Sequence, residues 1–220
     1  MLFSRRFRNP ATASPDGLVG IGGPLTPVRI LEAYRRGIFP YYDEGSPPLW
    51  WSPDPRGIIE FDQFHISRSL ARTIRSGRYK VTINRDFAGV IEGCADRPGP
   101  GNWLLPDLIG AFKSLYETGH AHSVEVWHEE VLAGGIYGLA LGGYFSGESM
   151  FARQRDASKV ALACLVHHLR QQGFRLLDVQ YVNPHTQSLG AISIPRSEFL
   201  ARLRQALIVP VSFVPAEDIK

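Results

Sequence analysis

The sequence is poor in cysteine and has neither long apolar runs nor metal-binding motifs. Its two cysteines, Cys94 and Cys164, lie far apart, and we expect both to be reduced thiols of a cytosolic protein. No stretch approaches the roughly 18 apolar residues of a membrane span. The first residues, MLFSRRFRNP, lack the apolar core of a signal peptide. These absences predict a cytoplasmic protein with no membrane-embedded part.

Several enzyme classes are disfavoured because their signatures are missing. The seven histidines include no H-E-x-x-H spacing, and neither cysteine forms a metal-binding motif with one of them, so no metal is expected. The absence of G-x-S-x-G disfavours a serine hydrolase. Around Asp156, where a helix is predicted to begin, the sequence reads RQRDAS. It lacks the glycines that would let backbone amides hold the pyrophosphate of coenzyme A. The sequence therefore predicts no cofactor.

Proline and aromatic residues crowd residues 38–57, IFPYYDEGSPPLWWSPDPRG. Because proline has a fixed φ and no backbone N–H, we expect no regular structure here, and we place a domain boundary just after this segment. The predicted domains are a small N-terminal domain at 1–57 and a catalytic domain at 58–220. The net charge of +3 at pH 7 is only a weak indication of a polyanionic partner.

Three strand-like segments predict an antiparallel meander: HSVEVW, VLAGGIYGLALG and YFSGESM. Asp156 is the predicted N-cap of the next helix, RLLDVQYV is a strand, NPHTQSLGA is irregular, and residues 195–207 form a last helix. Helices before a meander, followed by a helix and a strand, indicate an α+β domain. The order resembles a GNAT-like (acetyltransferase-like) core, in which helices flank a mixed, mainly antiparallel sheet.

A one-sided basic stripe occupies the start of the second predicted domain. No acidic residue lies between Asp62 and Asp86. Ile66, Leu70 and Ile74 recur every four residues and predict a buried helical stripe, with the arginines on the opposite side. The basic residues form either a solvated helix face or a surface for phosphate backbones. They are Arg68, Arg72, Arg75, Arg78, Lys80 and Arg85.

Five aromatic residues stand in or after the proline-rich segment. They either pack the core of a small domain or form a platform on which an unpaired base stacks. They are Tyr41, Tyr42, Trp50, Trp51 and Trp103. The residues alone leave both interpretations open.

Asp178 and Gln180 lie two positions apart on a predicted strand, so both project from one face. They are either the wet face of an edge strand or a carboxylate and a carboxamide at the mouth of a site. Glutamine cannot act as a base, but its carbonyl can hold an amine while its NH2 donates to Asp178. This pair is the first candidate for catalysis.

Glu148 is an acid among apolar neighbours, and a carboxylate in such surroundings needs a partner. One possibility is a structural acid, paired with backbone amides or with an arginine such as Arg153 or Arg155. The other is an anchor for a cationic amine, which hydrogen-bonds strongly to a carboxylate.

The motifs of this chain resemble those of the leucyl/phenylalanyl-tRNA–protein transferase family. WWSPDPR, AHSVEVW and GESMF do not occur together by chance. The similar segments follow in order along nearly the whole chain: GIFPYY and WWSPDPRG (within 37–57), HISRSL (65–70), VIEGCA (90–95), GHAHSVEVW (119–127), GGIYG (134–138), GESMF (147–151), ASK (157–159), LDVQ with Asn183 (177–183) and SLGAISIPR (188–196).

The resemblance implies an activity. A member of this family would transfer Leu or Phe from aminoacyl-tRNA to an N-terminal Arg or Lys of an acceptor protein and so mark that protein for degradation. It would consist of a small N-terminal domain on a GNAT-like domain. We further expect a monomer without a membrane partner, and we expect Met to be accepted beside Leu and Phe.

The resemblance also implies roles for individual residues. Asp178 and Gln180 would be the catalytic pair, and Glu148 would contact the amine of the aminoacyl group. Tyr41 and Trp103 would meet the terminal adenosine, and the basic stripe would hold the acceptor stem. The implied substrate-binding residues further include Ile136, Phe145, Met150, Leu165, Leu177 and Asn183.

Three positions depart from the family pattern. Tyr41 stands where Trp is usual, and Ile136 and Leu165 stand where Met and Phe are expected. These departures predict a pocket of different shape. The meander glycines are interpreted as room for the nucleotide and its amino acid; they stand at 134, 135, 138, 142, 143 and 147. The rival functions are an acyl-CoA N-acyltransferase and an RNA-binding module without chemistry.

Overall fold

The structure, a computed structural model, describes residues 7–96 and 103–213. The helices are α1 (Pro27–Arg35), α2 (Arg68–Arg75), α3 (Phe87–Ala95), α4 (Pro106–Glu117), α5 (Ala157–Gln172), α6 (Pro184–Gln187) and α7 (Arg196–Leu207). The strands are β1 (Leu18–Ile21), β2 (Phe39–Pro40), β3 (Leu49–Trp51), β4 (Arg56–Ile59), β5 (Lys80–Ile83), β6 (Ala121–His128), β7 (Val131–Leu141), β8 (Tyr144–Ala152), β9 (Leu176–Gln180) and β10 (Ala191–Ile194).

Two sheets organise these elements. A small sheet has the order β1-β3-β2, and a seven-stranded sheet has the order β10-β4-β9-β8-β7-β6-β5. In the large sheet β8 and β9 are parallel, and the other neighbouring strands are antiparallel. The predicted α+β class, with a mixed, mainly antiparallel sheet and a β6–β8 meander, is confirmed.

The core divides into two clusters on opposite faces of the large sheet. Tyr137 belongs to the first cluster and its neighbour Ile136 to the second, because successive residues of a strand point to opposite faces. Residues of α1, α3, α4 and α7 pack in the first cluster, and residues of α2 and α5 pack in the second. Helices therefore flank the sheet on both sides.

The proline-rich segment is more regular than predicted. It contains β2 and β3, so the expectation of no regular structure is wrong. The prolines precede and follow β3 rather than interrupt it, and Pro40 lies on an edge strand, where a missing N–H is tolerated. Trp50, fully buried, anchors β3 in the core. The predicted boundary at 57/58 falls within β4 and stays a prediction.

One local prediction about helices is right in position only, and a second is wrong. Asp156 stands at the N-cap of α5, but its side chain makes no cap hydrogen bond; its carboxylate accepts from the Thr73 hydroxyl of α2 at 3.4 Å instead. In the expected buried stripe Leu70 is buried, whereas Ile66 and Ile74 are 43% and 38% exposed. Ile66 precedes α2, which begins only at Arg68, and Ile74 lies in its last turn.

The segment 183–191, predicted to be irregular, contains α6 and leads directly into β10. A capping box begins α6: Asn183 accepts from the backbone N–H of Thr186 at 2.9 Å, and Thr186 Oγ1 accepts from the backbone N–H of Asn183 at 3.0 Å. Among the described residues, every helix is too short or too polar to cross a bilayer.

Candidate functional site

A pocket opens where β8 and β9 separate. Their parallel pairing covers Tyr144–Ser146 and Leu176–Asp178 only. Just beyond this point each strand contains a bulge, with Glu148 as the extra residue of β8 opposite β7 and Val179 as the extra residue of β9 opposite β4. Bulges bend a strand and re-aim its side chains. The space between the diverging strands is a pocket of about 540 Å³.

The pocket brings together most of the predicted substrate-binding residues. Those that line it are Tyr41, Trp103, Ile136, Glu148, Met150, Leu177 and Asn183, and the predicted catalytic residue Gln180 lines it as well. Phe145 and Leu165, at 1% and 0% exposure, lie in the second core cluster instead. The Phe145 ring stacks on Phe213 with centroids 5.5 Å apart, so the structure does not bring these two predicted residues to the pocket.

Asp178 is fully buried and is not part of the pocket wall. Its Oδ1 accepts from Arg56 Nε at 2.8 Å and from the backbone N–H of Gln180 at 2.9 Å. Its Oδ2 accepts from the Arg56 guanidinium at 2.6 Å and from the Tyr144 hydroxyl at 2.7 Å. Four donors thus saturate the carboxylate. The predicted hydrogen bond from the Gln180 side-chain NH2 to Asp178 is wrong, because the backbone N–H of Gln180 makes that contact.

Arg56 is the partner that the sequence interpretation missed. The guanidinium is 1% exposed, lies between the rings of Phe39 and Phe199 at 4.7 and 4.5 Å, and also donates to the Gly37 carbonyl at 3.1 Å. Although burial acts to lower it, the pKa of Arg56 is raised by the adjacent Asp178 carboxylate. An arginine opening the apolar strand RGII and an aspartate inside LLDVQ were the available signal, since each buried charge needs a partner.

Gln180 ends β9 with a left-handed backbone. Its φ is 56°, a conformation that costs free energy for a residue other than glycine. The hydrogen bond to Asp178 holds it there. Its Nε2 donates to Ser146 Oγ at 2.8 Å and to Glu148 Oε1 at 3.3 Å. Among the described residues, none donates to Gln180 Oε1, so this oxygen is available to accept a hydrogen bond in the pocket.

Glu148 is held by neutral donors. The Tyr34 hydroxyl donates to its Oε2 at 2.7 Å, and Gln180 donates to its Oε1. Neither Arg153 nor Arg155, the partners considered for a structural acid, takes this place. Burial raises the pKa of Glu148 to about 7, against the lowering effect of the hydrogen bonds from Tyr34 and Ser146. A carboxylate of this kind ionises readily when a cationic amine approaches.

The raised pKa makes a prediction about stability. Below pH 4.5 Glu148 is protonated in both states; as the pH rises to 7, the unfolded state ionises first, so stability is lost in that window. We expect Glu148→Gln to match the wild type near pH 4.5 and to exceed its free energy of unfolding by about 1–3 kcal/mol at pH 8. Urea denaturation across this range measures the difference. Exposed Glu117→Gln is the control, and a difference independent of pH would contradict the prediction.

The aromatic candidates divide between core and pocket. Tyr42 and Trp50 are 3% and 0% exposed and pack in the first core cluster. Tyr41, 41% exposed, faces Trp103 with ring centroids 5.7 Å apart and planes tilted by 32°. Trp51 donates its indole N–H to the Tyr41 carbonyl at 2.7 Å. Of the two interpretations, core packing fits Tyr42 and Trp50, and an accessible aromatic surface fits Tyr41 and Trp103.

The interpretation of the meander glycines is wrong for all but one. At five of them a Cβ would lie within 3.0 Å of other protein atoms, because helices and neighbouring strands pack directly against the sheet; these are Gly134, Gly135, Gly138, Gly142 and Gly143. At Gly147 the nearest atom would be 3.6 Å away, and this glycine lines the pocket. The other five serve close packing.

The basic stripe lies on the surface, and one of its members contacts a residue close in sequence to the pocket wall. All its members, Arg68, Arg72, Arg75, Arg78, Lys80 and Arg85, are exposed. Arg78 donates to Gln154 Oε1 at 3.0 Å, and Gln154 follows Phe151 and Ala152, which line the pocket, by only a few residues. Within the described residues, the arginines of α2 form no ion pair. Their charge is therefore available to an external anion.

Comparison with known proteins adds independent evidence. The family model described as leucyl/phenylalanyl-tRNA protein transferase matches residues 58–204, and the model of the N-terminal domain of that transferase matches residues 23–54. The chain is 52% identical over 207 residues to the leucyl/phenylalanyl-tRNA–protein transferase of Anaeromyxobacter sp. (strain Fw109-5), covering 93% of this chain and 88% of that protein. It is 50% identical over 202 residues to that of Erwinia tasmaniensis, covering 92% and 88%.

Among solved structures, the aminoglycoside N-acetyltransferase AAC(6')-Iy overlaps with a TM-score of 0.36 and 16% sequence identity, over 61% of this chain and 89% of that chain. So weak a likeness supports no inference about chemistry.

Proposed function

The chain belongs to the leucyl/phenylalanyl-tRNA–protein transferase family, and from this premise we propose that it moves Leu or Phe from aminoacyl-tRNA to the N-terminal Arg or Lys of acceptor proteins. It is an aminoacyltransferase. The observation that supports the proposal best is the pocket between β8 and β9, where apolar residues, Glu148 and Gln180 line one space. The proposal includes a monomeric, cytoplasmic enzyme that directs its acceptors to degradation, and two domains that meet near residue 57.

In this proposal the apolar wall holds the side chain of the transferred amino acid. Ile136, Met150 and Leu177 supply branched and flexible apolar surface, and Leu162 adds to it. Glu148 lies on β8, as Met150 does, and binds the ammonium of the aminoacyl group. Tyr41 and Trp103 offer ring faces to the terminal adenine, and Asn183 also lines the pocket.

The reaction needs little acid–base help, because the aminoacyl ester is already activated. A free α-amine with a pKa near 8 is neutral in roughly a tenth of molecules at pH 7. The amine nitrogen attacks the ester carbonyl carbon, the bond to the ribose oxygen breaks, and the proton lost by the amine is gained by that oxygen. Gln180 Oε1 orients the amine by accepting one of its hydrogens.

Asp178 acts through Gln180 in this mechanism. Its four hydrogen bonds leave no lone pair for the substrate. It holds the backbone of Gln180, while Ser146 and Glu148 hold the carboxamide. Positioning of this kind is worth several kcal/mol of the activation barrier.

The pocket predicts graded selectivity for the amino acid. One methylene in an apolar pocket is worth only about 1–3 kcal/mol, so Leu, Phe and Met are all expected to be transferred. Ile and Val, whose β-branching widens the base of the side chain, are expected to be about tenfold slower. Single-turnover transfer from each charged tRNA measures this order. Equal rates for Ile and Leu would contradict it.

The basic stripe predicts a change in salt dependence. Replacing Arg68, Arg72 and Arg75 by Ala should weaken the binding of tRNA. The negative slope of the log binding constant against log salt concentration should become shallower by about 2, since each lost phosphate contact removes roughly 0.7–0.9. The matched control replaces exposed arginines elsewhere, Arg8, Arg175 and Arg204. Equal slopes for the two triple variants would refute a role for the stripe.

Transfer of radiolabelled Leu from Leu-tRNA to a peptide beginning with Arg tests the proposed function directly. We expect labelled peptide, and no heat of binding when acetyl-CoA is titrated into the protein. Binding of tRNA without labelled peptide would favour an RNA-binding module. Binding of acetyl-CoA with acyl transfer would favour an N-acyltransferase.

A further inference from the structure

A second pocket lies beside the first and shares a wall with it. Its volume is about 400 Å³, and Tyr181 lines both pockets. Phe39, in the first pocket, packs edge-on against Tyr181 with ring centroids 6.0 Å apart. Trp51, in the second, is tied to Tyr41 of the first through its indole N–H. Aromatic residues in contact with one another therefore form the wall between the two pockets.

A buried arginine holds together the chain segments that lead into the walls of the second pocket. Arg196 is 6% exposed, and its guanidinium donates to the carbonyl oxygens of Ala13, Ser14 and Ser52 at 2.6, 3.0 and 2.7 Å. These bonds fasten the chain before β1 to the chain after β3. The walls of the pocket are consequently fixed, and the donors of this arginine are used within the protein.

The charge of the second pocket is opposite to that of the whole chain. The two charged residues that line it are acids, Asp16 and Asp54, whereas the net charge of the protein is +3. Asp16 is exposed and accepts from the Ser14 hydroxyl. Asp54 Oδ1 accepts from the backbone N–H of Arg196 at 3.0 Å, but its Oδ2 is 3.9 Å from that guanidinium. In the part of the chain that the structure describes, this Oδ2 has no hydrogen-bond donor.

We propose that this second pocket binds the side chain of the first residue of the acceptor protein, an arginine or a lysine. The inference rests on the proposed function and assigns acceptor selection to a place distinct from the aminoacyl pocket. Trp51 and Tyr181 offer ring faces to a guanidinium or ammonium, and Asp16 and Asp54 offer carboxylates. Tyr181 follows Gln180 directly and lines both pockets, so the proposal directs the α-amine of the same residue toward the amide oxygen of Gln180.

Two peptides that differ only at the first residue test the inference. One begins with Arg and the other with citrulline, which keeps the shape of Arg but carries no charge. We expect the wild type to favour the Arg peptide about tenfold or more in kcat/KM. In Asp16→Asn/Asp54→Asn this ratio should fall to near one, while the preference for Leu-tRNA over Ile-tRNA is retained because the aminoacyl pocket is untouched.

Two further variants keep the test decisive. Asp54 touches Arg196, so Asp16→Asn alone, at an exposed position, serves if the double variant unfolds; its ratio should fall about threefold. Glu117→Gln/Glu129→Gln removes the same charge from exposed positions elsewhere and should keep the wild-type ratio. An unchanged ratio in the folded aspartate variants overturns the inference, as does a wild type that treats both peptides alike. If the wild type transfers Leu to neither peptide, the proposed function fails and the inference falls with it.

Discussion

Replacing Gln180 with Leu is expected to lower the transfer rate constant by about 10²-fold while the protein stays folded. Gln180 lines the pocket, and its NH2 is anchored to Ser146 and Glu148, whereas its carboxamide oxygen has no donor among the described residues. Leu keeps the volume and removes the oxygen that orients the amine, and a reacting group misplaced by about 1 Å costs this order of rate.

The kinetic form of the loss separates orientation from binding. We expect the single-turnover rate constant to fall and the KM for the Arg peptide to change little, because the α-amine contributes orientation more than affinity. Gln171→Leu, which places the same side chain at an exposed position of α5, controls for the added apolar surface. A full rate in Gln180→Leu would remove this residue from the mechanism.

The sheet could be predicted largely from the sequence, because its signals are local. Three strand-like segments in succession marked the β6–β8 meander, and these strands do pair with their sequence neighbours. Predictions failed where tertiary packing decides. The exposure of Ile66 and Ile74 depends on where α2 begins and on how little of it packs, which periodicity does not encode.

The site was predicted only in part, because its geometry depends on contacts between distant residues. Asp178 and Gln180 stood out as polar residues on a strand. Arg56 was visible as a charge at the start of an apolar strand, but nothing local pairs it with Asp178, 122 positions away. The bulges at Glu148 and Val179 arise from register against neighbouring strands. Alternation within one strand cannot reveal them, and they decide which side chains reach the pocket.

The arrangement that results links stability to catalysis through one buried charge pair. The Arg56–Asp178 pair is inaccessible to substrate, yet its carboxylate fixes the strained backbone of Gln180. A buried ion pair is weak evidence for stability in itself. Its value here is that it holds at positive φ a residue that lines the pocket.

Breaking this pair on one side is accordingly expected to produce the largest loss of stability in the chain. Asp178→Leu leaves the Arg56 guanidinium buried without its ion-pair partner, and Arg56→Met does the same to the Asp178 carboxylate. Each change should lower the free energy of unfolding by about 3–5 kcal/mol. The double variant Arg56→Met/Asp178→Leu removes both charges and should lose several kcal/mol less than the sum of the single changes.

Urea denaturation of the four proteins gives the coupling energy, and the exposed pair Lys113–Glu92, at 2.8 Å, is the matched control, with an expected coupling of about 0–1 kcal/mol. The rate of aminoacyl transfer by the double variant is the second measurement of the test. Because the Asp178→Leu change removes the acceptor of the hydrogen bond from the Gln180 backbone N–H, the rate should remain low even where stability is recovered. Wild-type rates in a stable double variant would show that the pair serves the fold alone, and a coupling energy near zero would show that the pair does not stabilise the fold.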